Sequence, residues 1–510
     1  MKQWKSVLNS RKSADIALLL EGTFPFVSGG VSSWVNQIIT GLPEFSFSLV
    51  FLGGNRDFYG DYKYQCPDNV VHLECHYLME SWKDKPPKPY KGNKDVFNQV
   101  HKMHEGLRSA KHLINEESLT TIMNSLGKDN ALSREEFLYS EESWEQIKEY
   151  YTKYCTDPSF VDYFWTIRTM HAPLFILAKI VEKLPAVKIL HSVSTGYAGM
   201  LGMMLERTRG LPYILSEHGI YTKERKIDLA QADWITDASE TFGTSLDDDV
   251  SYIRRLWIRF FEGIGRLTYN STDPIISLYE GNRLRQIDDG ADATKTQIIP
   301  NGIDIDRFTL LREQRPKGVP PVLALIGRVV PIKDVKTFIR SMRTICNKIP
   351  EAKGWIVGPE DEDAEYAREC HTLLESLKLQ HNVEFLGFQK VDDILKQISL
   401  VVLTSISEAL PLVILEGYAS GVPALATDVG SCRELIEGNN KEDKLIGLSG
   451  RVVQIANPEE TAIAALELLT DEKKWKQAQA AAIKRVELFY TQKDMFNKYR
   501  HIYQQALEKH

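Results

Sequence analysis

The stretch Pro321-Val322-Leu323-Ala324-Leu325-Ile326-Gly327-Arg328-Val329-Val330-Pro331-Ile332-Lys333-Asp334 decides the fold of this 510-residue chain. Its apolar run does not alternate with polar residues, so it reads as a strand covered on both faces. A glycine, two cations and a proline follow, and helical spacing then runs from residue 335 to 345. Strand, short loop and helix open a βαβ unit, whose strands are parallel. The pattern recurs with apolar runs at 354–357, 383–386, 400–403, 424–427 and 450–455 and an amphipathic stretch at 459–469. Residues 321 to about 469 therefore read as one doubly wound α/β domain.

Working outward, the N-terminal half repeats the alternation with an interruption. Runs at 16–20, 48–52, 187–190, 213–216 and 275–278 read as strands, with helices at 32–40 and 197–209. From about 81 to 156 the chain turns polar and helix-prone, opening with the basic, proline-rich 83–94 and closing in the acidic 135–149. That stretch is expected to be a helical insertion packed on the first domain. A link is expected across 292–320, and a last helix across 493–509. The predicted organisation is α/β: a Rossmann-like domain over 1–300, a second over 301–485, and a C-terminal helix over 486–510 returning to the first. Two such domains facing each other would leave a cleft at the carboxyl ends of their strands, where ligands bind.

Composition narrows the function. Apolar residues make up 43% of the chain, which suffices for sizeable cores. With 62 Lys+Arg against 69 Asp+Glu, the net charge of −7 argues against nucleic acid as a partner. The six cysteines, at 66, 75, 155, 346, 370 and 432, contain no CxxC pair and read as reduced thiols of a cytosolic protein. No run of about 18 apolar residues and no leader pattern is seen, so neither a membrane span nor a targeting segment is expected.

Four stretches carry chemistry. Ser28-Gly29-Gly30-Val31 opens a helix just after a strand, where bare backbone can approach an anion. Arg328 and Lys333 offer a forked donor and a point charge, a pair suited to a diphosphate. Glu408 and Glu416, eight residues apart, would lie just before and within a helix opened by Pro411. A carboxylate at the mouth can hold sugar hydroxyls and the deeper one a ribose diol, while the amides of Leu410, Leu412 and Val413 point toward a phosphate. Last, Glu217-His218-Gly219 ends a strand, and its imidazole could hold a sugar hydroxyl. Tyr221, Lys223 and Arg225 follow closely enough to touch an acceptor. Each has a plainer structural reading: a tight turn, a solvated helix start, a capped helix, a structural histidine.

Taken in order, with Asn301-Gly302-Ile303-Asp304 between the halves, these stretches resemble glycosyltransferase family 4, a retaining family with the GT-B fold. The segments 21–35 and 216–225 resemble further the cytosolic glycosyltransferases of bacterial Pel exopolysaccharide synthesis. The resemblance implies transfer of a hexose from a UDP-sugar, UDP-glucose or a UDP-N-acetylhexosamine, to a growing polysaccharide acceptor. No metal or other cofactor is expected. It implies that Arg328 and Lys333 hold the diphosphate, Glu416 the ribose, Glu408 the sugar hydroxyls and Gly29-Gly30 the donor phosphate. Gly387 and Phe388 would lie by the base, and His218 would face the transferred sugar. It also implies partner proteins of a Pel membrane complex that recruit a cytoplasmic enzyme to the inner membrane. Pro411, which has no N–H to donate, and the 81–156 insertion depart from the family pattern.

Rival readings remain at this level. Asp304-Ile305-Asp306 and Asp361-Glu362-Asp363 spell a metal-diphosphate motif, though aspartates also cap helices. His72, Glu74 and His76 would share one face of a strand, with Cys75 pointing away. Arg254, Arg255 and Arg259 with Trp257 and Phe260 could form a membrane-touching or a merely charged helix face. A UDP-sugar 2-epimerase on the same fold, or a non-catalytic subunit that binds nucleotide-sugar, are the alternative functions.

Overall fold

The computed structural model describes residues 3–79, 88, 90–108, 123, 125–126, 132–156, 159–230 and 252–509. The basic stretch expected at 83–94 lies mostly outside them. The chain divides into two units: Met1–Ser277 with Leu284–Gln297 and Arg500–His510, and Leu278–Arg283 with Ile298–Tyr499.

In the first unit, β1 (Ala14–Glu21), β2 (Phe47–Gly53), β3 (Val70–Tyr77), β4 (Val187–Ser192), β5 (Tyr213–Glu217), β6 (Ile275–Ser277) and β7 (Thr296–Ile298) form one sheet among the described residues. Its order is β3-β2-β1-β4-β5-β6-β7. Ile16 pairs in parallel with Phe47 on one side and Ile189 on the other, so β1 is central, and Ile16 to Leu20 are fully buried. Chain direction across the sheet reverses at β1, and the loop after β1 leads into helix Gly30–Gly41. That is the switch point where open α/β sheets place their ligand loops.

The stretch after β3 supplies helices Lys94–Arg108, Arg134–Tyr139 and Glu141–Tyr154, the last two opened by Ser133 and Ser140 caps. It is less polar in effect than its composition implied. Val96, Phe97, Val100, Phe137 and Leu138 are buried in the same core as Ala17 and Leu19 of β1. The last helix, Gln492–Glu508, brings Tyr503 against His191 of β4 (Tyr503 Oη to Nδ1 2.6 Å) and Arg500 against Glu44 (2.5 Å).

In the second unit, β8 (Val322–Ile326), β9 (Lys353–Val357), β10 (Val383–Gly387), β11 (Leu400–Leu403), β12 (Ala424–Thr427) and β13 (Gly450–Val453) form a parallel sheet ordered β10-β9-β8-β11-β12-β13. Leu323 pairs with Leu400 and Ala324 with Val401. Successive residues face opposite sides, and each side has its own core. Leu323, Leu325, Leu400 and Val402 pack under helix Val335–Lys348, whereas Ala324, Val401 and Leu403 pack under helix Leu412–Ala419. Two covered faces explain the unbroken apolar runs.

The fold is the expected α/β pair of Rossmann-like units. Strand β7 escaped the sequence reading and β3 entered it only as a possible metal-ligand face at 72–76; the two are the outermost strands of the first sheet. Among the described residues no helix is long and apolar enough to cross a membrane. All six cysteines are free thiols.

Candidate active site

A polar cluster of the second unit that holds the expected Lys333 and Glu408 sits at the carboxyl ends of β8 and β11. Gly327 leaves β8 with its N–H on Val357 O (2.8 Å), and a Cβ on Gly358 (φ +153°) would lie 2.0 Å from the Gly327 oxygen. Two glycine backbones thus pack where no side chain fits, which sets the direction of the Arg328 loop. Lys333 ends a single 3-10 turn, Pro331–Lys333, and Asp334 behind it holds a left-handed φ of +43° while capping Thr337 N. Such a conformation is unfavourable for a non-glycine residue, and Thr404 at the end of β11 holds it. The Thr404 hydroxyl lies 3.0 Å from Lys333 O and 2.9 Å from Asp334 O. Strand β11 therefore pins the lysine that β8 delivers.

Lys333 Nζ donates to Glu408 Oε1, and Ser405 Oγ donates to the same oxygen at 2.7 Å. Both charged side chains are mostly buried, 22% and 13% exposed. The Glu408 backbone is fixed from below: a Cβ on Gly430 (φ +53°) would lie 2.2 Å from Glu408 O, and Ser431 N bonds Ala409 O at 2.9 Å. Arg328 reaches outward instead, donating from Nη1 to both oxygens of the exposed Glu362.

Pro411 is the N-cap of helix Leu412–Ala419, one position earlier than an opening helical residue would be. Its missing N–H costs nothing there, and the amides of Leu412 and Val413 form the first turn. Glu416 lies one turn into the helix. Burial pushes its carboxyl up to about 7, Arg307 opposes that, and Asp392, itself bonded to Arg307 (2.6 Å), adds to it. A carboxyl so poised can either accept or donate to a diol.

In the first unit, helix Gly30–Gly41 begins without a side-chain cap, and a Cβ on Gly29 or Gly30 would meet nothing within 4 Å. Space is open around this loop, so packing within the unit does not require glycine there. His218 follows β5, buried, with Trp34 edge-on at 4.7 Å between ring centroids. Burial lowers its pKa to about 4, so its imidazole is neutral near pH 7. Its neighbour Glu217 is the hub. It accepts from Tyr221 N (3.0 Å), Thr195 Oγ1 (3.2 Å), Tyr269 Oη (2.8 Å) and Gln286 Nε2 (3.1 Å). Burial still pushes its carboxyl up against those donors. Sequence reading gave no role to Glu217, Trp34, Ser405 or Thr404. Only the strand-end position of Glu217 and Thr404 could have singled any of them out.

Several expected residues are placed differently. Tyr221 is buried, its hydroxyl donating to Glu21 (2.8 Å) and its ring under the Arg225 guanidinium at 5.0 Å. Tyr221 and Arg225 thus brace helix Tyr221–Ala230 rather than offering an acceptor surface, while Lys223 is exposed. Gly387 ends β10 with φ +62°, and Phe388 beyond it is 84% exposed. Asp304 and Asp363 cap helices at Arg307 N and Tyr366 N. His72, Glu74 and His76 do share a face of β3, with Glu74 drawn down to about 2 by the two histidines against the opposing effect of burial. His72 Nδ1 accepts Arg11 N–H (3.0 Å), which puts the proton of a neutral ring on Nε2, facing Glu74 at 3.6 Å. That nitrogen is a donor, so this arrangement is an imidazole-carboxylate pair rather than a ligand set. Trp257 is buried and stacked on Phe261, so the apolar side of its helix faces the core, not a membrane.

Comparison with known proteins adds the following. Residues 14–294 match the model of a domain of unknown function (DUF3492), and residues 306–485 match the glycosyl transferases group 1 model. An uncharacterized glycosyltransferase of Methanocaldococcus jannaschii is 32% identical over 142 residues, 26% of this chain and 34% of its own length. The D-inositol 3-phosphate glycosyltransferase of Corynebacterium jeikeium is 26% identical over 201 residues, 36% of this chain and 46% of its own. The chain thus spans less than half the length of these curated relatives. Among solved structures, Anabaena HepE in complex with UDP superposes with a TM-score of 0.58 at 15% identity, over 96% of this chain and 100% of that one. Sucrose-phosphate synthase of Thermosynechococcus elongatus gives 0.57 at 15% identity, over 97% and 100%. At that identity the likeness is one of fold.

Proposed function

This chain belongs to the DUF3492 family and carries a glycosyl transferases group 1 region in its second unit, and from that premise we propose that it is a retaining glycosyltransferase using a UDP-hexose donor. The observation that supports this best is the Lys333–Glu408 pair, held by Ser405 and Thr404 one short loop before the Leu412–Ala419 helix. It combines a cation for a diphosphate, a carboxylate for hydroxyls and unpaired helix amides for a phosphate within one strand-end cluster. HepE, of the same fold, was crystallised with UDP and with UDP-glucose, which fits this donor class.

In the proposed reaction the bond from the anomeric carbon to the β-phosphate oxygen breaks as one to an acceptor oxygen forms on the same face. The acceptor's proton passes to the departing phosphate, so no separate protein base is required. Lys333 and Arg328 neutralise the charge that grows on UDP, the main catalytic effect. Arg328 exchanges Glu362 for the diphosphate. Glu408 takes sugar hydroxyls, Glu416 the ribose, the Gly29-Gly30 amides a donor phosphate, the Gly387-Phe388 turn the base, and His218 a hydroxyl of the transferred hexose. With fixed cations in this role, no metal ion is needed. The acceptor is a growing exopolysaccharide of the Pel type, made in the cytoplasm with membrane-bound partner proteins.

The test is UDP release by the full chain across a panel of UDP-hexoses, with and without EDTA. One donor should turn over, EDTA should leave the rate unchanged, and Glu408→Gln should lower it on the order of 100-fold or more. Undiminished turnover in Glu408→Gln would overturn the site, and a rate lost to EDTA and restored by Mg²⁺ would overturn the metal-free reading.

A further inference from the structure

A cavity of about 370 Å³ lies in the first unit, lined from the insertion helices Lys94–Arg108 and Glu141–Tyr154 and from helices Phe160–Lys183 and Tyr252–Ser271. None of the residues assigned to sugar transfer lines it. Met103, Phe137, Ile147, Leu256 and Phe260 supply much of its wall.

Several polar groups in that wall are engaged within the unit. Burial keeps His171 neutral, and its Nδ1–H donates to Ile167 O (2.8 Å). Its Nε2 then accepts the Nε2–H of His104 at 3.2 Å. Gln146 donates to Phe97 O (2.9 Å) and Tyr154 to Glu105 (2.6 Å). What the wall offers a guest is therefore carbon. An apolar void costs stability in proportion to its volume, and water gains little from walls without free polar atoms. The size falls within the roughly 300–1,000 Å³ of pockets that hold drug-sized ligands.

The opening has a different character. Of the lining residues, Thr156 and Arg259 are exposed, and Arg255 lines the cavity one turn before Arg259. Arg259 makes no ion pair among the described residues. Deep carbon walls with the exposed Arg259 among the lining residues match a molecule with one apolar end and one anionic end.

We propose that this cavity binds a single-chain amphiphile with an anionic head, its chain among Met103, Leu256 and Phe260 and its head at Arg259. The proposal is independent of sugar transfer. A free fatty acid, a phosphate-headed chain and a bilayer lipid share this chemistry, and the experiment separates them.

The full chain is titrated with cis-parinaric acid, whose fluorescence rises in apolar surroundings, then with dodecyl phosphate and with dodecanol as competitors. Pelleting with anionic phosphatidylglycerol vesicles forms a further arm. A saturable signal is expected, displaced by dodecyl phosphate more readily than by dodecanol. Leu256→Trp, which fills the chain site, should weaken binding about tenfold or more. Arg259→Gln should weaken the acid about fivefold and leave dodecanol competition unchanged. Should Leu256→Trp fail to fold, Met103→Trp fills the site from the insertion side. The absence of a saturable signal, equal binding by a folded filled variant, or binding to vesicles but not to monomeric probes would each overturn the proposal. UDP-sugar turnover in the filled variant, measured separately, keeps this outcome distinct from the fate of the proposed activity.

Discussion

The two units hold their chemistry-bearing residues in opposite ways. In the second, charged groups meet charged partners: Arg328 on the exposed Glu362, and Lys333 on the mostly buried Glu408. The Arg328–Glu362 pair is weak enough to exchange for a ligand, since exposed ion pairs contribute little net stability. In the first, the titratable groups are buried and answered by neutral donors or rings. Glu217 has four donors, His218 lies against Trp34, and His191 is bonded to Ser216 (2.8 Å) and Tyr503. These groups fix backbone and loops. One strand-end arrangement can thus serve an exchangeable charged site or a rigid frame, depending on burial.

The contrast can be broken most decisively at Lys333. Lys333→Met should lower UDP-sugar turnover by about 100- to 1,000-fold and, by leaving the mostly buried Glu408 without its cation, cost about 3 kcal/mol of stability. A large fall in thermal midpoint with little loss of turnover would make the second unit's pair structural, like those of the first.

Glu217→Ala should act in the reverse sense. It strips the acceptor from four buried donors and should cost about 3 kcal/mol or more, read as a loss of thermal midpoint. If that variant melts like the parent, the hub does not hold the His218 loop.

The smallest effect is at Glu416 and is a pH dependence. Its folded pKa of about 7 stands above the ordinary carboxyl value of 4.5, so the folded state holds the proton more tightly than the unfolded state. Its contribution is favourable at low pH and is lost as pH rises through about 7. Glu416→Gln, which stays neutral, should therefore stabilise the chain by about 1–2 kcal/mol at pH 8 and hardly at pH 5. Equal melting shifts at both pH values would mean that burial does not hold that carboxyl neutral.

His218 runs the other way. With a folded pKa of about 4 against an ordinary 6.5, it favours the folded state above pH 6.5, and that support is lost as pH falls toward 4. The two groups narrow stability from opposite sides, one unit contributing each edge.

The fold was legible wherever strands are covered on both faces. Val322–Ile326, Leu400–Leu403 and Ala424–Thr427 match the apolar runs residue for residue. It was only partly legible at β3 and not at β7. As edge strands these have fewer apolar neighbours, and β3 carries His72, Glu74 and His76 through its length. A strand with ionisable residues at every second position reads as exposed on that face, although His72 is nearly inaccessible. The site was half legible. Strand-end position and residue type singled out Arg328, Lys333, Glu408 and Glu416, because those signals are local. That Thr404 holds Lys333 from 71 residues away is a product of neighbouring parallel strands, and spacing along the chain carries no trace of it.

Sequence alone determined the layered α/β architecture, because burial on both sides of a parallel sheet imposes unbroken apolar runs that any reader of the chain can find. Only the tertiary structure decided which polar residues are spent within the protein and which face outward. Tyr221, expected to touch an acceptor, is bonded to Glu21 200 residues earlier in the chain. Whether a hydroxyl or carboxylate is available depends on what the fold brings within about 3 Å of it, and that distance is set by packing rather than by order along the chain.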